Sequence, residues 1–371
     1  MARSAIEDIC KTDVVSEVVI ADIRERKARQ IAEELCSGKG SVAVLDINDS
    51  KNLHKALKAC DVVVNTAGPY YRNGVKMVEA AIDAKVNYVD ICDDYDPTLE
   101  MLDLDKAAKD AGVTILIGWG ESPGTTNVLA KYGADKLDRV DEIHTYWGSS
   151  WGDPAGFACI FHMLHGLKGN TPQYLEGELV NVSARAGKEI TEFPEPVGKI
   201  ECYYIGHPEP ITLPRYIKGV RSVTNRGAMM PNWSWDVFWD LIEYGWADDK
   251  PIDVQGVSVV PIELAVKLLA RWSASTDRDI GENYTGLRVD VKGEKAGKKT
   301  SYSYVENSVT HSMAQVTGAP LAIGTRMLCS GEIQAKGVFP PEAVVDPERF
   351  LEELAKRDIR FEEIEAVSEG I

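Results

Sequence analysis

The chain has no run of about 18 apolar residues, so no membrane-spanning helix is expected. Its opening residues, Met1 to Thr12, mix charged and apolar side chains and carry no secretory apolar core. Long Lys/Arg runs are also missing. Lys and Arg total 41 against 58 Asp and Glu, a formal net charge of −17. Such a surface repels phosphate backbones and argues against a nucleic-acid partner. The densest basic stretch, Lys295-Ala296-Gly297-Lys298-Lys299, reads as a hairpin turn. The seven cysteines (Cys10, Cys36, Cys60, Cys92, Cys159, Cys202 and Cys329) are scattered and include no C-x-x-C, so reduced thiols and a cytoplasmic setting are expected. The six histidines show no metal spacing; His162 and His165 lie three apart without an accompanying Cys or carboxylate pattern, so no metal is expected. No internal repeat or low-complexity segment is visible.

What remains is 371 residues of ordinary globular composition, 44% hydrophobic and 27% charged, long enough for two domains and too apolar for bulk disorder. Short β-branched runs alternate with helical patterns through the first third. The runs are 18–22, 42–46, 61–65, 88–91 and 113–117, with helices over 4–10, 25–35, 52–59, 75–84 and 97–111. Strands apolar throughout, each followed by a helix, predict a parallel sheet covered on both faces, an α/β domain of Rossmann-type, doubly wound order. After Gly124 the strands lengthen and alternate. Residues 284–291 and 300–305, joined by a turn over 292–299, predict an antiparallel hairpin in an α+β domain with a mostly antiparallel sheet. Met313 to Gly331 is helical, with Gly318 and Pro320 expected to interrupt it, and Phe350 to Lys356 is amphipathic. The expected organisation is a dinucleotide-binding domain over 1–124, a substrate and dimerisation domain over 125–312, and a helical return over 313–371 onto the first domain.

A dinucleotide-binding domain opens with a strand, a G-x-G-x-x-G/A turn, a helix, and a second strand ending in an acid about 20 residues on. Here Asp22 ends a strand, and counting back about 20 residues reaches Ala2, the place of the last small residue of the fingerprint. The expectation is therefore an N-terminally truncated domain whose first strand and glycine turn lie ahead of residue 1. The alternative is that Met1 opens a complete helix and Asp22 is an ordinary strand-end acid. Asp22 suits the free 2′-hydroxyl of NAD, whereas Arg24 and Arg26 suit the 2′-phosphate of NADP, so NAD or NADP stays open.

Three motifs follow in order: Asn65-Thr66-Ala67-Gly68-Pro69-Tyr70, Tyr88-Val89-Asp90 and GWGESPGTTN over 118–127. With Gly337-Val338-Phe339-Pro340-Pro341-Glu342 they resemble the saccharopine dehydrogenase-like family, in the branch that includes lysine 6-dehydrogenase. The resemblance spans nearly the whole chain and departs from the family at the absent first strand. It implies a Rossmann domain, a second domain carrying substrate and homodimer contacts, and nicotinamide-dependent chemistry at a C–N bond of an amino acid.

Ligands of open α/β sheets bind at the carboxyl ends of the strands. Asn65, Thr66, Ala67, Gly68 and Pro69 are accordingly cofactor-binding candidates with Ala2, Asp22, Arg24 and Asp46; a plain Gly-Pro turn is the alternative. Asp90 and the crowded Asp93, Asp94 and Asp96 can raise one another's pKa or bind a substrate ammonium. Asp90, Asp94 and Tyr70 are the catalytic candidates, against a solvated acidic loop and an Asp90 that only orients it. Glu121 to Asn127 runs into a helix N-terminus suited to a carboxylate or carboxamide, making Thr125 and Asn127 substrate-binding candidates or simply a capped helix start. Among Arg215, Lys218, Arg221 and Arg226, the guanidiniums of Arg215 and Arg221 are candidates for clamping a carboxylate, with surface solvation as the alternative. Trp233, Trp235, Trp239 and Trp246 read as core packing, a pocket lining or a dimer contact. His144 reads as structural or as a proton shuttle.

The expected activity is hydride transfer between NAD(P) and the carbon attached to nitrogen in an amino acid or imine adduct, of the saccharopine, lysine or polyamine-precursor class. The rival is a non-catalytic nucleotide-binding or structural dimer that has lost the glycine loop. An aldehyde dehydrogenase would need a nucleophilic Cys with a His base; Cys159 and His162, three apart on one helix, read as core packing instead.

Overall fold

The computed structural model describes residues 1–151, 156–274, 284–308 and 311–368. The first stretch alternates as α1 (Ala2–Lys11), β1 (Val18–Asp22), α2 (Glu25–Leu35), β2 (Gly40–Val44), α3 (Ser50–Leu57), β3 (Val62–Asn65), α4 (Tyr70–Ala84), β4 (Asn87–Asp90), α5 (Tyr95–Asp103), α6 (Asp105–Ala111) and β5 (Thr114–Leu116). The middle runs α7 (Thr125–Ala134), β6 (Arg139–Ser150), α8 (Phe157–Leu167), β7 (Asn170–Leu175), β8 (Glu178–Ser183), β9 (Glu189–Glu192), β10 (Lys199–Tyr204), α9 (Glu209–Tyr216), β11 (Ser222–Met230), α10 (Ser234–Glu243), β12 (Ile252–Val254), β13 (Val257–Val259), α11 (Pro261–Ser273), β14 (Thr285–Lys295) and β15 (Lys298–Ser308). The chain ends with α12 (Met313–Cys329), β16 (Gly337–Phe339), α13 (Pro347–Ala355) and β17 (Glu362–Ser368).

Two compact units result. The first comprises Met1–Cys92, Asp96–Val128 and Ala314–Ile359; the second comprises Asp93–Tyr95, Leu129–Met313 and the chain from Arg360 on. The first unit therefore extends to Val128 rather than 124. β17 pairs with β15 in the second unit, whereas the sequence sends all of 313–371 back to the first.

In the first unit β3, β4, β5 and β16 form a four-stranded parallel sheet. β4 and β5 sit in its middle, and Tyr88, Val89, Ile115 and Leu116 are fully buried, as expected of a parallel sheet with both faces covered. β1 and β2 pair in parallel but form a separate two-stranded sheet. In a doubly wound order one central strand joins such halves, and no strand among the described residues pairs with both β1 and β3. Val19 and Val44 are correspondingly exposed.

Two further expectations are corrected. α12 runs unbroken through Gly318 and Pro320. Nearly every residue from Val316 to Leu328 is buried, and that burial outweighs the one backbone bond lost at Pro320. Gly318 lets α12 approach α1 closely, since a Cβ there would lie 2.9 Å from the Ala5 nitrogen. Cys10 and Cys36 are not free thiols but form a disulfide, with Cα atoms 5.2 Å apart. They end α1 and α2, within a cluster of Ile20, Ala28 and Ala32, so two helix ends 26 residues apart meet in a way that cysteine spacing does not reveal.

The second unit is built on a nine-stranded mixed sheet, ordered β17-β15-β14-β6-β11-β10-β9 with β7 and β8 branching from β11. Only β6 and β11 run parallel; every other pair is antiparallel. The β14–β15 ladder continues to Lys295↔Lys298, so the turn is only Ala296-Gly297, both at positive φ, rather than the eight residues 292–299.

Non-reducing peptide mapping of the purified protein is expected to recover Cys10 and Cys36 in one linked fragment. Cys36→Ser is expected to lower stability by about 3 kcal/mol, as for closing a loop of this size, read from the urea midpoint.

Candidate active site and family

The carboxyl ends of β3, β4 and β5 are tied together by one buried carboxylate. Asp90 ends β4 and is fully buried. Its Oδ1 accepts the backbone N–H groups of Cys92 (3.0 Å) and Gly118 (2.9 Å), and its Oδ2 accepts the hydroxyl of Tyr88 (2.9 Å). Asn65 at the end of β3 donates its amide to the same Tyr88 oxygen (2.8 Å), accepts the Ala67 N–H (3.0 Å), and receives the Tyr70 hydroxyl on its backbone carbonyl (2.9 Å). Burial raises the Asp90 carboxyl to about 6 against the pull of these three donors, and pushes the Tyr88 phenol well above its usual range. With both oxygens engaged, Asp90 holds three loops in place. Tyr70, a catalytic candidate, is buried and spends its proton on the Asn65 carbonyl.

The cofactor-binding candidates lie on loops at this edge. Thr66, Gly68 and Pro69 are half-buried and Ala67 is exposed, directly after β3. Asp22 ends β1, accepts the Arg24 backbone N–H (2.8 Å) and pairs with the Arg24 guanidinium at 3.1 Å. Partial burial works to raise its pKa, but the Arg24 hydrogen bonds and the charges of Arg24 and Lys27 prevail, so it is held low. Arg24 and Arg26 are exposed, and so is Asp46, just past β2. Ala2 is the first residue of α1.

The 118–127 segment folds on itself. Asn127 Oδ1 accepts the Gly124 N–H (3.0 Å), and the Gly120 N–H and C=O bond Pro123 and Thr125 (both 2.9 Å). Gly124 has φ +130°, and a Cβ there would lie 2.0 Å from the Gly120 oxygen, so no other residue fits. Thr125 and Asn127, the substrate-binding candidates, are both buried in this turn.

A second constellation lies wholly in the second unit. His162 of α8 places Nδ1 2.8 Å from Asp94 Oδ1 and 3.7 Å from Asp93 Oδ1, while its Nε2 lies 3.0 Å from Nε2 of His207. His207 Nδ1 in turn lies 3.3 Å from Glu209 Oε2. The β10–α9 loop reaches α8 because Gly206 has no side chain: its N–H bonds Gly166 (2.9 Å), and a Cβ would lie 2.5 Å from the Tyr95 ring. Trp147 stacks on His207 at 5.5 Å. Asp94 was legible in the sequence. His207 and Glu209 were not, because 45 residues and a glycine-dependent loop separate His207 from His162. Both ring nitrogens of His162 are engaged here, so the helix mate Cys159 gains no base from it. One side-chain atom each of Asp93, Asp94 and His162 lies within 4.8 Å of the others, a carboxylate–histidine grouping that the spacing of histidines alone did not show.

The arginine segment does not converge. Arg215 is exposed at the end of α9, and Arg221 pairs with Glu176 on the surface. Arg226 is buried, bonding Gly187 O (3.0 Å), the Thr224 hydroxyl (2.8 Å) and the Tyr204 hydroxyl (3.2 Å). His144 is held by Thr224 (2.8 Å) and Glu142 (3.1 Å) on β6. Trp235 and Trp239 pack on Tyr203, at 4.7 and 5.5 Å.

Residues 1–116 match the saccharopine dehydrogenase NADP-binding domain, and residues 120–359 match the saccharopine dehydrogenase C-terminal domain. The chain belongs to the saccharopine dehydrogenase family. It is 24% identical to a carboxyaminopropylagmatine dehydrogenase of Synechocystis sp., over 97% of this chain and 93% of that protein. It is 26% identical to a carboxynorspermidine synthase of Vibrio cholerae, over 92% and 88%. The solved saccharopine dehydrogenase (L-Glu forming) of Saccharomyces cerevisiae shares the fold, with a TM-score of 0.69 and 17% identity over 98% of this chain and 97% of that one. This member is an NAD(P)-dependent oxidoreductase. No helix among the described residues is long and apolar enough to cross a membrane.

Asp90→Asn leaves the Tyr88 hydroxyl proton without an acceptor, since both amides then donate to that oxygen. The expected cost is about 1–3 kcal/mol in urea unfolding at neutral pH. The folded chain also holds the Asp90 proton up to about pH 6, above the unfolded value of 3.8. Stability therefore declines as pH rises through that window, and this decline is expected to vanish in Asp90→Asn.

Proposed function

We propose that this chain reduces an imine to a carboxylated polyamine-type secondary amine, or in reverse oxidises that amine's C–N bond, with NADP preferred over NAD. The observation that carries the reading is the Asp93–Asp94 pair just after β4, where Asp93 keeps 28% of its side chain open beside His162. Such an anionic end suits the ammonium group of a cationic amine. Two relatives named for carboxylated polyamine products, each matched over nearly its full length, support the same substrate class.

The dinucleotide supplies the hydride. In the reductive direction an amine and a carbonyl lose water to give an imine. The carbon takes the hydride and the nitrogen takes a proton. In the second unit Asp93 would dock the cationic nitrogen while Asp94 and His162 handle the proton; in the first unit the Thr66–Pro69 turn would help hold the dinucleotide. Exposed Arg215 is the remaining candidate for the substrate carboxylate, since Arg221 is committed to Glu176. Asp90, Tyr70, Thr125 and Asn127 act as positioning residues that fix the loops. The enzyme works as a homodimer in this reading, which light scattering on the purified chain checks.

The deciding measurement follows NADPH formation with carboxynorspermidine, saccharopine and lysine as separate substrates. Turnover with the polyamine product alone supports the proposal; turnover with saccharopine or lysine alone overturns the substrate class. Arg24→Ala is expected to weaken NADPH binding by about 1.5 kcal/mol, roughly tenfold, while leaving NADH binding nearly unchanged, read by fluorescence titration.

A further inference from the structure

We propose that Asp94, His162 and His207 form one hydrogen-bonded chain, with the Glu209 carboxylate facing its far end, that holds a single proton shared between the two imidazoles, and that this chain is the proton store for the amine nitrogen. The second half of the proposal rests on the function proposed above; the first half stands on geometry alone.

The two Nε2 atoms are 3.0 Å apart. Two lone pairs at that distance repel and two N–H groups collide, so one nitrogen donates and the other accepts. Each Nδ1 faces a carboxylate, Asp94 at 2.8 Å and Glu209 at 3.3 Å, so each carries a proton. Three protons on two rings make one imidazolium and one neutral imidazole. All four residues are at most 5% exposed, a setting in which an isolated cation would not persist. A carboxylate at each end pins the shared charge in the middle.

The groups facing the two rings agree with that count. Burial works against charge on His162, but the charge of Asp93, the hydrogen bond and charge of Asp94 and the charge of Glu209 outweigh it and raise it to about 9. On His207 burial prevails over Glu209 and Asp94, with the His162 charge acting in the same sense, so its pKa is lowered. Trp147 covers the His207 face, and Tyr95 stacks on His165 one turn along α8 at 6.0 Å.

The way out runs through Asp93, the partly open carboxylate 3.7 Å from His162 Nδ1. When an imine is reduced, its carbon gains the hydride from NADPH and its nitrogen gains the His162 Nδ1 proton by way of Asp93. The ring pair is left neutral with His162 Nδ1 bare beside two carboxylates, a short-lived state that draws a proton back from water along the same route. Oxidation of the amine reverses each transfer.

With only six histidines in the chain, ¹⁵N-histidine labelling gives a readable spectrum. The expected result is one ring protonated on both nitrogens and one protonated on Nδ1 alone, neither titrating between about pH 6 and about pH 8. His162→Asn and His207→Gln assign the signals. His207→Gln is expected to lower kcat about a hundredfold and move the pH profile of kcat, with NADPH binding intact. Glu209→Gln, which removes the pinning charge but keeps an accepting oxygen, is expected to lower kcat less than His207→Gln does and to move the pH profile in the same way. Two rings titrating independently near their ordinary value overturn the shared proton, as does displacement of the proton signals by one equivalent of Zn²⁺ or Mn²⁺, which marks Asp93, Asp94 and His162 as a metal site. A His207→Gln enzyme with lowered stability but an unmoved pH profile overturns the proton-store role. Failure of wild-type turnover with every amine counts against the proposed function and leaves the labelled-ring result standing.

Discussion

One carboxylate organises the first unit. Asp90 gathers two backbone N–H groups and a phenol at the carboxyl end of β4, and through Tyr88 it also fixes Asn65 at the end of β3. A buried anion is costly alone, and here three directed donors offset that cost. The turns that face a ligand in an open α/β sheet are thereby set relative to one another before any ligand arrives. The Gly118–Asn127 segment hangs from the same anchor, since the Gly118 N–H is one of the three donors.

Close to it in sequence, Asp94 meets a different environment. Asp90 is satisfied by neutral donors, while Asp94 is matched by an imidazole that is itself tied to a second imidazole. Two aspartates four positions apart thus serve opposite purposes, one as a fixed strut and one as a charge partner. Sites that run acid and base chemistry together separate their ionisable groups in this way.

The alternation of β-branched runs and helices exposed the nucleotide-binding half because each element there is local. Asp90, Asp94 and the Asn65–Pro69 turn were legible because strand ends are where such sheets bind ligands. The parts that stayed hidden depend on contacts between distant residues. Nothing near Cys10 announces Cys36, and nothing near His162 announces His207. Pro320 looked like a break because the sequence shows the lost hydrogen bond and not the burial that outweighs it. Arg215 and Arg221 looked like a cluster because they are close in sequence, yet one projects to solvent and the other is held by Glu176. The division of the parallel strands into two sheets likewise depends on pairing that no single strand encodes.

The first unit is assembled from three separated stretches of chain, and β5 gains its outer neighbour β16 only late. The Thr114 hydroxyl bonds the Ala335 carbonyl across 221 residues. A ribosome adding about 5–20 residues per second needs roughly 10–40 s to cover that distance. During that interval the nascent β5 presents an unpaired edge, with Ile115 and Leu116 on it, while the antiparallel half is being made. Growing chains on polysomes are therefore exposed to edge-to-edge association at this strand, and holding it covered is a natural task for a chaperone acting before synthesis is complete.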